Sequence, residues 1–246
     1  MNKNTKTLLQ GRAARIILKA MKYTDAHCHI FTAPRDNIAG QICNATGEAD
    51  WQKLQEIANE QTRVCIGIHP WNILPASDDW EMHMRKIMRS NPRIMVGEIG
   101  LDKYHPDIER QIEFFTRQIE IAIEFNRSAH LHVVGAWDKV LHILKTRGAP
   151  PLIVAHAFGG NDEIMARLTA EHNVYFSYKM QNGRINNTIK NAPTDKILIE
   201  SDCDTPTTQP QILADTTQEI AKTLGRNSAE TNAQINTNFQ RVINYV

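Results

Sequence analysis

The residues of this sequence that could do chemistry are histidines and acids that recur at the ends of short apolar runs. Six of them share that placement: His27, His29, Glu98, His132, His156 and Asp202. Imidazole nitrogens and carboxylate oxygens are ligands that proteins offer to divalent cations. Coincidence could place one or two such side chains at the ends of apolar runs, but six of them together predict a metal site.

The elements that would position these side chains are short strands. After Met21 the chain alternates apolar runs with amphipathic stretches, which is typical of units that build a parallel sheet. Several runs are nearly continuous in apolar residues, as in strands covered on both faces. Eight runs are predicted to be strands: Tyr23–His29, Gln41–Ala45, Val64–His69, Ile94–Gly100, Ala129–Val134, Leu152–His156, Val174–Ser177 and Ile197–Asp202.

Eight such units in a chain of 246 residues predict an α/β fold, a single TIM-type (β/α)8 barrel. The six metal-capable residues would then stand at the carboxyl ends of the strands, where the active sites of such barrels are built. The alternative is a doubly wound open sheet, but no Gly-rich phosphate-binding loop follows the first strand.

Helical patterns fill the segments between the predicted strands. Asp50 is a candidate N-cap of the first helix, and apolar residues recur at a 3.6-residue spacing from Ile108 to Ile123. Gly148 is a candidate C-terminal stop, and Asn161 is a candidate N-cap of the following helix.

Side-chain alternation predicts how the first strand is oriented. Asp25, His27 and His29 are expected on one face of the strand and Cys28 on the other. If the first face looks into the barrel, the two imidazoles converge on a common ion. Cys28 is then interpreted as a packed thiol rather than as a metal ligand.

Five short motifs follow one another along the chain: Asp25-Ala26-His27-Cys28-His29, Gly67-Ile68-His69-Pro70, Gly97-Glu98-Ile99-Gly100-Leu101-Asp102, Ala155-His156-Ala157-Phe158 and Glu200-Ser201-Asp202. Their order resembles that of TatD-type deoxyribonucleases, which belong to the amidohydrolase-like group of metal-dependent barrels. The resemblance runs from about Lys22 to the C-terminus, and the Gly-Glu-x-Gly-Leu-Asp segment is its most specific part.

The resemblance implies a hydrolase with two divalent metal cations. It places the His-x-His pair and Asp202 on one cation and His132 and His156 on the other, with Glu98 as a bridge. Asp202 is also expected to take the proton from the attacking water, so that Asp202 and Glu98 are the predicted catalytic residues. His69 is expected to contact a substrate phosphate, and a hydrogen bond to a metal ligand is the alternative.

The identity of the cations is left open between Mg²⁺, Zn²⁺ and Mn²⁺. Mixed nitrogen and oxygen ligands suit Zn²⁺ or Mn²⁺, whereas Mg²⁺ prefers oxygen and is the ion that the resemblance implies. Two cations about 3.5–4 Å apart can activate a water and stabilise both the attacking and the leaving oxygens of a phosphoryl displacement.

Weaker candidates surround the six residues. Glu200 stands two residues before Asp202 and could orient a ligand from below. His130 forms a second His-x-His pair with His132 and is expected to lie deeper in the barrel. The stretch Lys179–Lys190 is interpreted as a solvated loop, with contact to a nucleic-acid backbone as the alternative. Four further histidines are expected to have no role in the site: His83, His105, His142 and His172.

One position departs from the family pattern. Two residues after the strand-five histidine, the resemblance implies an arginine suited to bidentate phosphate contact. This chain has Val134 there. Because a valine cannot donate to a phosphate, nuclease activity follows less directly from the sequence than metal binding does.

Composition sets the remaining bounds. Hydrophobic residues make up 41% and charged residues 22%, as in ordinary globular proteins, and the formal net charge of +1 argues neither for nor against nucleic acid. The four cysteines suggest free thiols, and no apolar run approaches the roughly 20 residues that span a membrane. Residues 1–21 are basic and are predicted to be an extension, with a targeting peptide as the alternative, and residues 22–246 are predicted to form one domain.

The leading hypothesis is a cytoplasmic, two-metal phosphodiesterase that acts on DNA ends. The alternative keeps the metals but changes the bond to an amide, a lactone or a small phosphoester, and Val134 favours it. A third hypothesis, a non-enzymatic barrel with a structural metal, fits less well because structural metal sites are closed cages of four ligands. Nothing in the sequence predicts a dedicated protein partner.

Overall fold

The computed structural model describes residues 21–245, which form eight strands and seven α-helices. The strands are β1 (Tyr23–Cys28), β2 (Ile38–Asn44), β3 (Thr62–Ile66), β4 (Met95–Asp102), β5 (Ala129–Val134), β6 (Ile153–Ala155), β7 (Val174–Tyr178) and β8 (Ile197–Ile199). They form one parallel sheet in chain order, so the predicted TIM-type barrel is confirmed. The predicted extension lies outside the described residues, apart from Met21.

The helices pack around the strands. They are α1 (Glu48–Ile57), α2 (Trp80–Ser90), α3 (Ile108–Glu124), α4 (Trp137–Arg147), α5 (Asp162–Glu171), α6 (Gln209–Thr223) and α7 (Ser228–Ile243). The Asn161 side chain caps α5 by accepting a hydrogen bond from the N–H of Ile164 at 2.9 Å, and Gly148 ends α4, as predicted. The prediction that Asp50 caps α1 is wrong, since Asp50 is a residue of the helix itself. Its carboxylate accepts hydrogen bonds from Thr46. No helix within residues 21–245 combines the length and the apolar character that crossing a membrane requires.

A bulge in β1 changes the orientation of its side chains. The three steps from Asp25 to Cys28 along β1 match only two steps along β2, so the strict alternation is broken. The carboxylate of Asp25 accepts a hydrogen bond from Nε2 of Gln209 in α6 at 2.9 Å. The prediction that Asp25 shares a face with His27 is therefore wrong, and Asp25 instead ties β1 to α6.

The barrel closes where the chain after β8 returns to β1. The N–H of His29 donates to the carbonyl oxygen of Cys203 at 2.8 Å, and the N–H of Asp202 donates to that of His27 at 2.9 Å. The fully buried Asp25 accepts a further hydrogen bond, at 3.0 Å, from the backbone N–H of the residue before Asp202. We call these three hydrogen bonds the seam, and they set His29 and Asp202, which follow the first and last strands, side by side.

Apolar packing supports the barrel from its amino-terminal end. One buried cluster takes residues from seven of the eight strands and joins them to Phe239 and Val242 of α7. Asn238 in the same helix donates to the carbonyl oxygen of Ile197, at the start of β8, at 2.9 Å. The carboxyl ends of the strands are left for polar side chains.

Candidate metal centre

β1 delivers two imidazoles to the carboxyl end of the barrel. His27 is fully buried, and His29 follows just after the strand ends. Nδ1 of His29 lies 2.9 Å from the carbonyl oxygen of Asn44, and because a carbonyl only accepts, Nδ1 carries the hydrogen. Its Nε2 faces the centre, 3.5 Å from Oε2 of Glu98 and 3.4 Å from Oδ1 of Asp202.

Glu98 lies inside β4 rather than at its end, because the strand continues to Asp102. The register between β4 and β5 shifts around Gly97 and Glu98, which sets this segment apart from regular pairing. Gly97 also leaves necessary space, since a Cβ at this position would lie 2.8 Å from Cβ of His130. The local backbone thus places a carboxylate in the interior at the level of the histidines.

The two oxygens of the Glu98 carboxylate face different histidines. Oε2 lies 3.2 Å from Nε2 of His27 and 3.5 Å from Nε2 of His29. Oε1 lies 2.8 Å from Nδ1 of His132 and 3.6 Å from Nε2 of His156. The side chain is only 3% exposed, so it belongs to both groups of imidazoles and not to solvent.

Glu200 orients His156 from behind. Its Oε1 lies 2.9 Å from Nδ1 of His156 and accepts a hydrogen bond from the N–H of Ala157 at 3.0 Å. Nδ1 is therefore directed at a carboxylate, which leaves Nε2 directed at Glu98 and, at 4.0 Å, at Asp202. This is the contact that the position of Glu200 in the sequence predicted.

Asp202 follows β8 with a left-handed backbone (φ 51°), a conformation that aspartate tolerates better than most residues. Its Oδ2 contacts the ammonium group of Lys179, at the end of β7. Lys179 is therefore not part of a solvated loop, and the interpretation of Lys179–Lys190 is wrong at this position. The same stretch also contains a short 3-10 helix, Asn187–Lys190, in which Thr188 is buried.

The charges of the two acids follow from their surroundings. Burial raises the pKa of Glu98, but His27 and His156 outweigh burial and hold that pKa well below its usual value. Burial also raises the pKa of Asp202, and the hydrogen bond from His29 together with the charge of His156 more than reverses it. Burial lowers the pKa of His156, but the neighbouring carboxylates raise it to about 9. Both acids are thus carboxylates at neutral pH, the form that binds cations.

His69 also reaches the centre, but with a different atom. Its Nδ1 accepts a hydrogen bond from the backbone N–H of Trp71 at 3.1 Å, so the hydrogen of the neutral ring lies on Nε2. That Nε2 is 3.6 Å from Oε1 of Glu98. Burial lowers the pKa of His69 to about 3, which keeps the ring neutral. A donor rather than a lone pair faces the centre, which suits a phosphate contact better than a metal bond.

Sequence reasoning missed two residues at the rim, Asp102 and Trp71. Oδ2 of Asp102 accepts a hydrogen bond from Nε1 of Trp71 at 2.9 Å and lies 3.9 Å from Nε2 of His132. Asp102 ends the Gly-Glu-x-Gly-Leu-Asp motif, and that place was the signal that could have found it. Trp71 carried only its closeness to His69 in the sequence.

Other candidates lie outside the centre. Cys28 is a buried thiol, 3.8 Å from the sulfur of Cys43, as predicted, and all four cysteines are free. His130 is fully buried, and its ring centroid lies 6.4 Å from that of His27. None of the four histidines expected to have no role joins a metal-capable group in the part of the chain that the structure describes.

The remaining side chains fit divalent cations by their chemistry. Three groups have candidate ligand atoms within 4.8 Å of one another: His27, His29 and Glu98; His27, His156 and Asp202; and Glu98 and His132 with His69, whose Nε2 carries a hydrogen in the neutral ring. The Nε2 atoms of His27 and His132 are buried and find no hydrogen-bond partner within residues 21–245. Buried nitrogen lone pairs beside carboxylates are costly to leave unpaired, and a cation would satisfy them.

A parallel eight-stranded barrel with histidines and carboxylates at the carboxyl ends of its strands defines the class of amidohydrolase-like, metal-dependent hydrolases. The family model "TatD related DNase" matches residues 21–244. The chain therefore belongs to the TatD-related DNase family, as the order of its motifs indicated.

Individual relatives agree at low identity. A protein from Bacillus subtilis named uncharacterized metal-dependent hydrolase YabD is 31% identical over 56% of this chain, and the match spans 57% of that protein. The 3'-5' ssDNA/RNA exonuclease TatD of Erwinia billingiae is 26% identical over 67% of each chain. The crystal structure of the TatD homologue YJJV from Escherichia coli superposes with a TM-score of 0.77 at 19% identity, covering 89% of this chain and 97% of that one, which shows the shared fold.

Proposed function

We propose that this protein is a two-metal phosphodiesterase that cleaves DNA from a strand end. The observation that carries the proposal is the carboxylate of Glu98, whose two oxygens face two separate sets of imidazoles. A shared carboxylate is a natural way to hold two cations close together. The name of the Erwinia relative, a single-strand exonuclease, supports the substrate class.

We assign the residues to two cations as the family resemblance implies. His27, His29 and Asp202 would hold one of them, since Nε2 of His29 lies 3.4 Å from Oδ1 of Asp202. His132 and His156 would hold the other, with Glu98 shared. The Nε2–H tautomer of His69 leaves this residue to donate a hydrogen bond to a phosphate oxygen.

When bound, the cations would supply Lewis acidity for water activation and for the charge on the phosphate oxygens. Asp202 is the acid that water can reach, because its side chain is 24% exposed whereas that of Glu98 is 3% exposed. Its carboxylate is thus placed to accept a proton from an attacking water. The ammonium group of Lys179 contacts the other carboxylate oxygen of Asp202 and balances its negative charge.

A cavity beside the centre offers cationic groups to a nucleic-acid backbone. It has a volume of about 210 Å³, and its lining includes Lys179, Arg184 and the amide side chain of Gln181. Cations and amides are the groups that proteins commonly direct at phosphates. This cavity supports a phosphate-bearing substrate although Val134 contributes no arginine.

A second candidate function keeps the cations and changes the substrate. Val134, at the end of β5, leaves the position next to His132 without a cation. That position would then favour a neutral amide or lactone, or a small phosphoester.

The test compares substrates on one preparation. Metal-loaded protein is incubated with an end-labelled single strand and, in parallel, with a panel of amides and lactones, before and after exhaustive chelation. The strand is expected to shorten stepwise, and chelation should abolish this cleavage. Glu98→Gln should abolish it as well. Turnover of amides or lactones with an intact strand would favour the second function, and undiminished turnover in metal-free protein would exclude both.

A further inference from the structure

Trp71 differs from the other tryptophans of the chain. The chain has four, and Trp51, Trp80 and Trp137 are 3%, 3% and 6% exposed. Trp71 is 54% exposed, although it stands directly beside the candidate metal centre. An exposed indole beside a polar site offers a large, flat aromatic face to a ligand.

The exposed indole is nevertheless held in place. Its Nε1 donates to Oδ2 of Asp102 at 2.9 Å, and its backbone N–H donates to Nδ1 of His69 at 3.1 Å. The ring of His105 stacks on the indole, with centroids 5.8 Å apart and planes 17° apart. These contacts fix the plane of the ring without burying it.

The indole also lies at contact range of the residues that would meet substrate. Its centroid is 5.1 Å from that of His69 and 6.0 Å from that of His132. The indole therefore lines the centre on the side of His69 and His132. The backbone N–H of the exposed Tyr104 donates to Asp102, the partner of the indole, and the ammonium group of Lys103 lies 5.1 Å from the Tyr104 ring centroid.

We propose that Trp71 forms a nucleobase-stacking subsite, in which a base next to the cleaved phosphate lies on the indole face that His105 leaves open. This inference rests on the proposed function, since it assumes a nucleic-acid substrate. The only polar atom of the indole is already bonded to Asp102, so the ring offers a π-face and no hydrogen-bond readout. Every base has a π-face, so the subsite grips a strand without selecting its sequence.

Binding to strands with and without bases tests the subsite directly. A short single strand with phosphorothioate linkages is compared with a strand of the same length that carries abasic positions. The base-bearing strand should bind wild-type protein about five- to a hundred-fold more tightly. It should also quench tryptophan fluorescence, because the exposed indole of Trp71 is the one that a strand can reach.

Substitutions assign the effect to this residue. Trp71→Leu should lose the quenching and bind the two strands alike, whereas Trp71→Phe should keep the preference for bases when binding is followed by the anisotropy of a labelled strand. In cleavage assays Trp71→Leu should raise KM and leave kcat nearly unchanged. Tyr245→Leu is the matched control, since Tyr245 is 42% exposed and lies by Met95, at the amino-terminal end of β4.

The outcomes separate this subsite from the proposed function. A wild-type protein that cleaves single strands yet binds base-bearing and abasic strands equally would overturn the subsite alone. So would a Trp71→Leu variant that folds like wild type and retains the preference for bases. A wild-type protein that neither binds nor cleaves single strands would overturn both.

Discussion

Glu98 is the residue on which the two-cation arrangement depends. Each of its oxygens faces its own set of imidazoles, at 3.2 Å from His27 and 2.8 Å from His132. We therefore expect Glu98→Gln to reduce metal content at both positions, whereas His156→Ala should chiefly empty one. Elemental analysis of the purified variants measures this.

The control for that experiment is Glu113→Gln, which removes a carboxylate whose side chain is 61% exposed, on the surface of α3. Its metal content should equal that of wild type. If Glu98→Gln and His156→Ala each lost the same single equivalent, Glu98 would serve one cation and the shared-carboxylate arrangement would be wrong.

Val134 turns a departure from the family pattern into a second experiment at this scale. If the protein is a nuclease that lacks one phosphate contact, Val134→Arg should improve DNA turnover by roughly ten- to a hundred-fold, since a charge-assisted hydrogen bond contributes on the order of 1.5–3 kcal/mol. Val134→Leu controls for added bulk and should give no gain. The measurement is kcat/KM on a single strand.

Lys103 adjoins that position, since its backbone N–H donates to the carbonyl oxygen of Val134 at 3.0 Å. A new arginine would have to share the space with it, so folding is checked first by circular dichroism. A well-folded Val134→Arg variant with DNA cleavage at the wild-type level would contradict a lost phosphate contact.

At the residue scale, sequence predicted identities better than partners. The six metal-capable residues could be found because each ends or interrupts an apolar run. Lys179 could not be found, because it lies 23 residues from its partner Asp202 in the chain and their contact leaves no local pattern. The tautomer of His69 was equally hidden, since it depends on the N–H of Trp71 in a turn that only the folded chain defines.

At the scale of elements, the pairing of β4 with β5 is the critical contact. Gly100 lies so close to the backbone of His132 that a Cβ would overlap its carbonyl group. Gly100→Ala should therefore push the two strands apart and cost about 3 kcal/mol, the upper end of the usual range for overpacking. In a chain of this size that lowers Tm by roughly 6–12 °C, which calorimetry measures.

Gly159→Ala is the matched glycine substitution, because a Cβ there would have only ordinary contact, at 3.7 Å from Ala157. Its Tm should stay close to that of wild type. Equal Tm values for the two alanine variants would show that β4 can move away from β5 at little cost.

Periodicity predicted that each strand exists but not where it ends. β5 matches its predicted bounds, whereas β8 stops at Ile199, before the acids that were assigned to it. A strand ends where its backbone N–H and C=O groups stop pairing with a neighbouring strand. After β8, the backbone pairs across the seam instead. Bulges in β1 and β4 were also invisible, because one extra residue in a strand leaves the apolar pattern almost unchanged.

For the whole molecule, cation binding and folding should be linked. The imidazoles and carboxylates come from segments far apart in the chain, from the first strand to the last, so only the folded chain brings them together. A cation at a hundred times its Kd adds about 2.7 kcal/mol of stability, which corresponds to a rise in Tm of roughly 5–11 °C. Calorimetry of chelated protein with Mg²⁺, Mn²⁺ or Zn²⁺ added back measures this.

Potassium chloride at matched ionic strength is the control and should leave Tm unchanged. The cation that gives the largest shift identifies the ion that the site prefers. Absence of any shift with all three cations, in protein that is folded and active, would mean that the centre does not hold a cation tightly.

The seam has a consequence for how the protein is made. It joins Asp25 to Ser201, which are 176 residues apart in the chain. A ribosome adding about 5–20 residues per second takes roughly 10–35 s to travel that distance. During that interval β1 lacks its hydrogen-bonded partner on the side of β8. The His-x-His pair is present, but Asp202 has not yet been synthesised. A nascent chain therefore cannot assemble this part of the centre until translation has passed β8, so the metal would enter only a barrel whose last strand has been made.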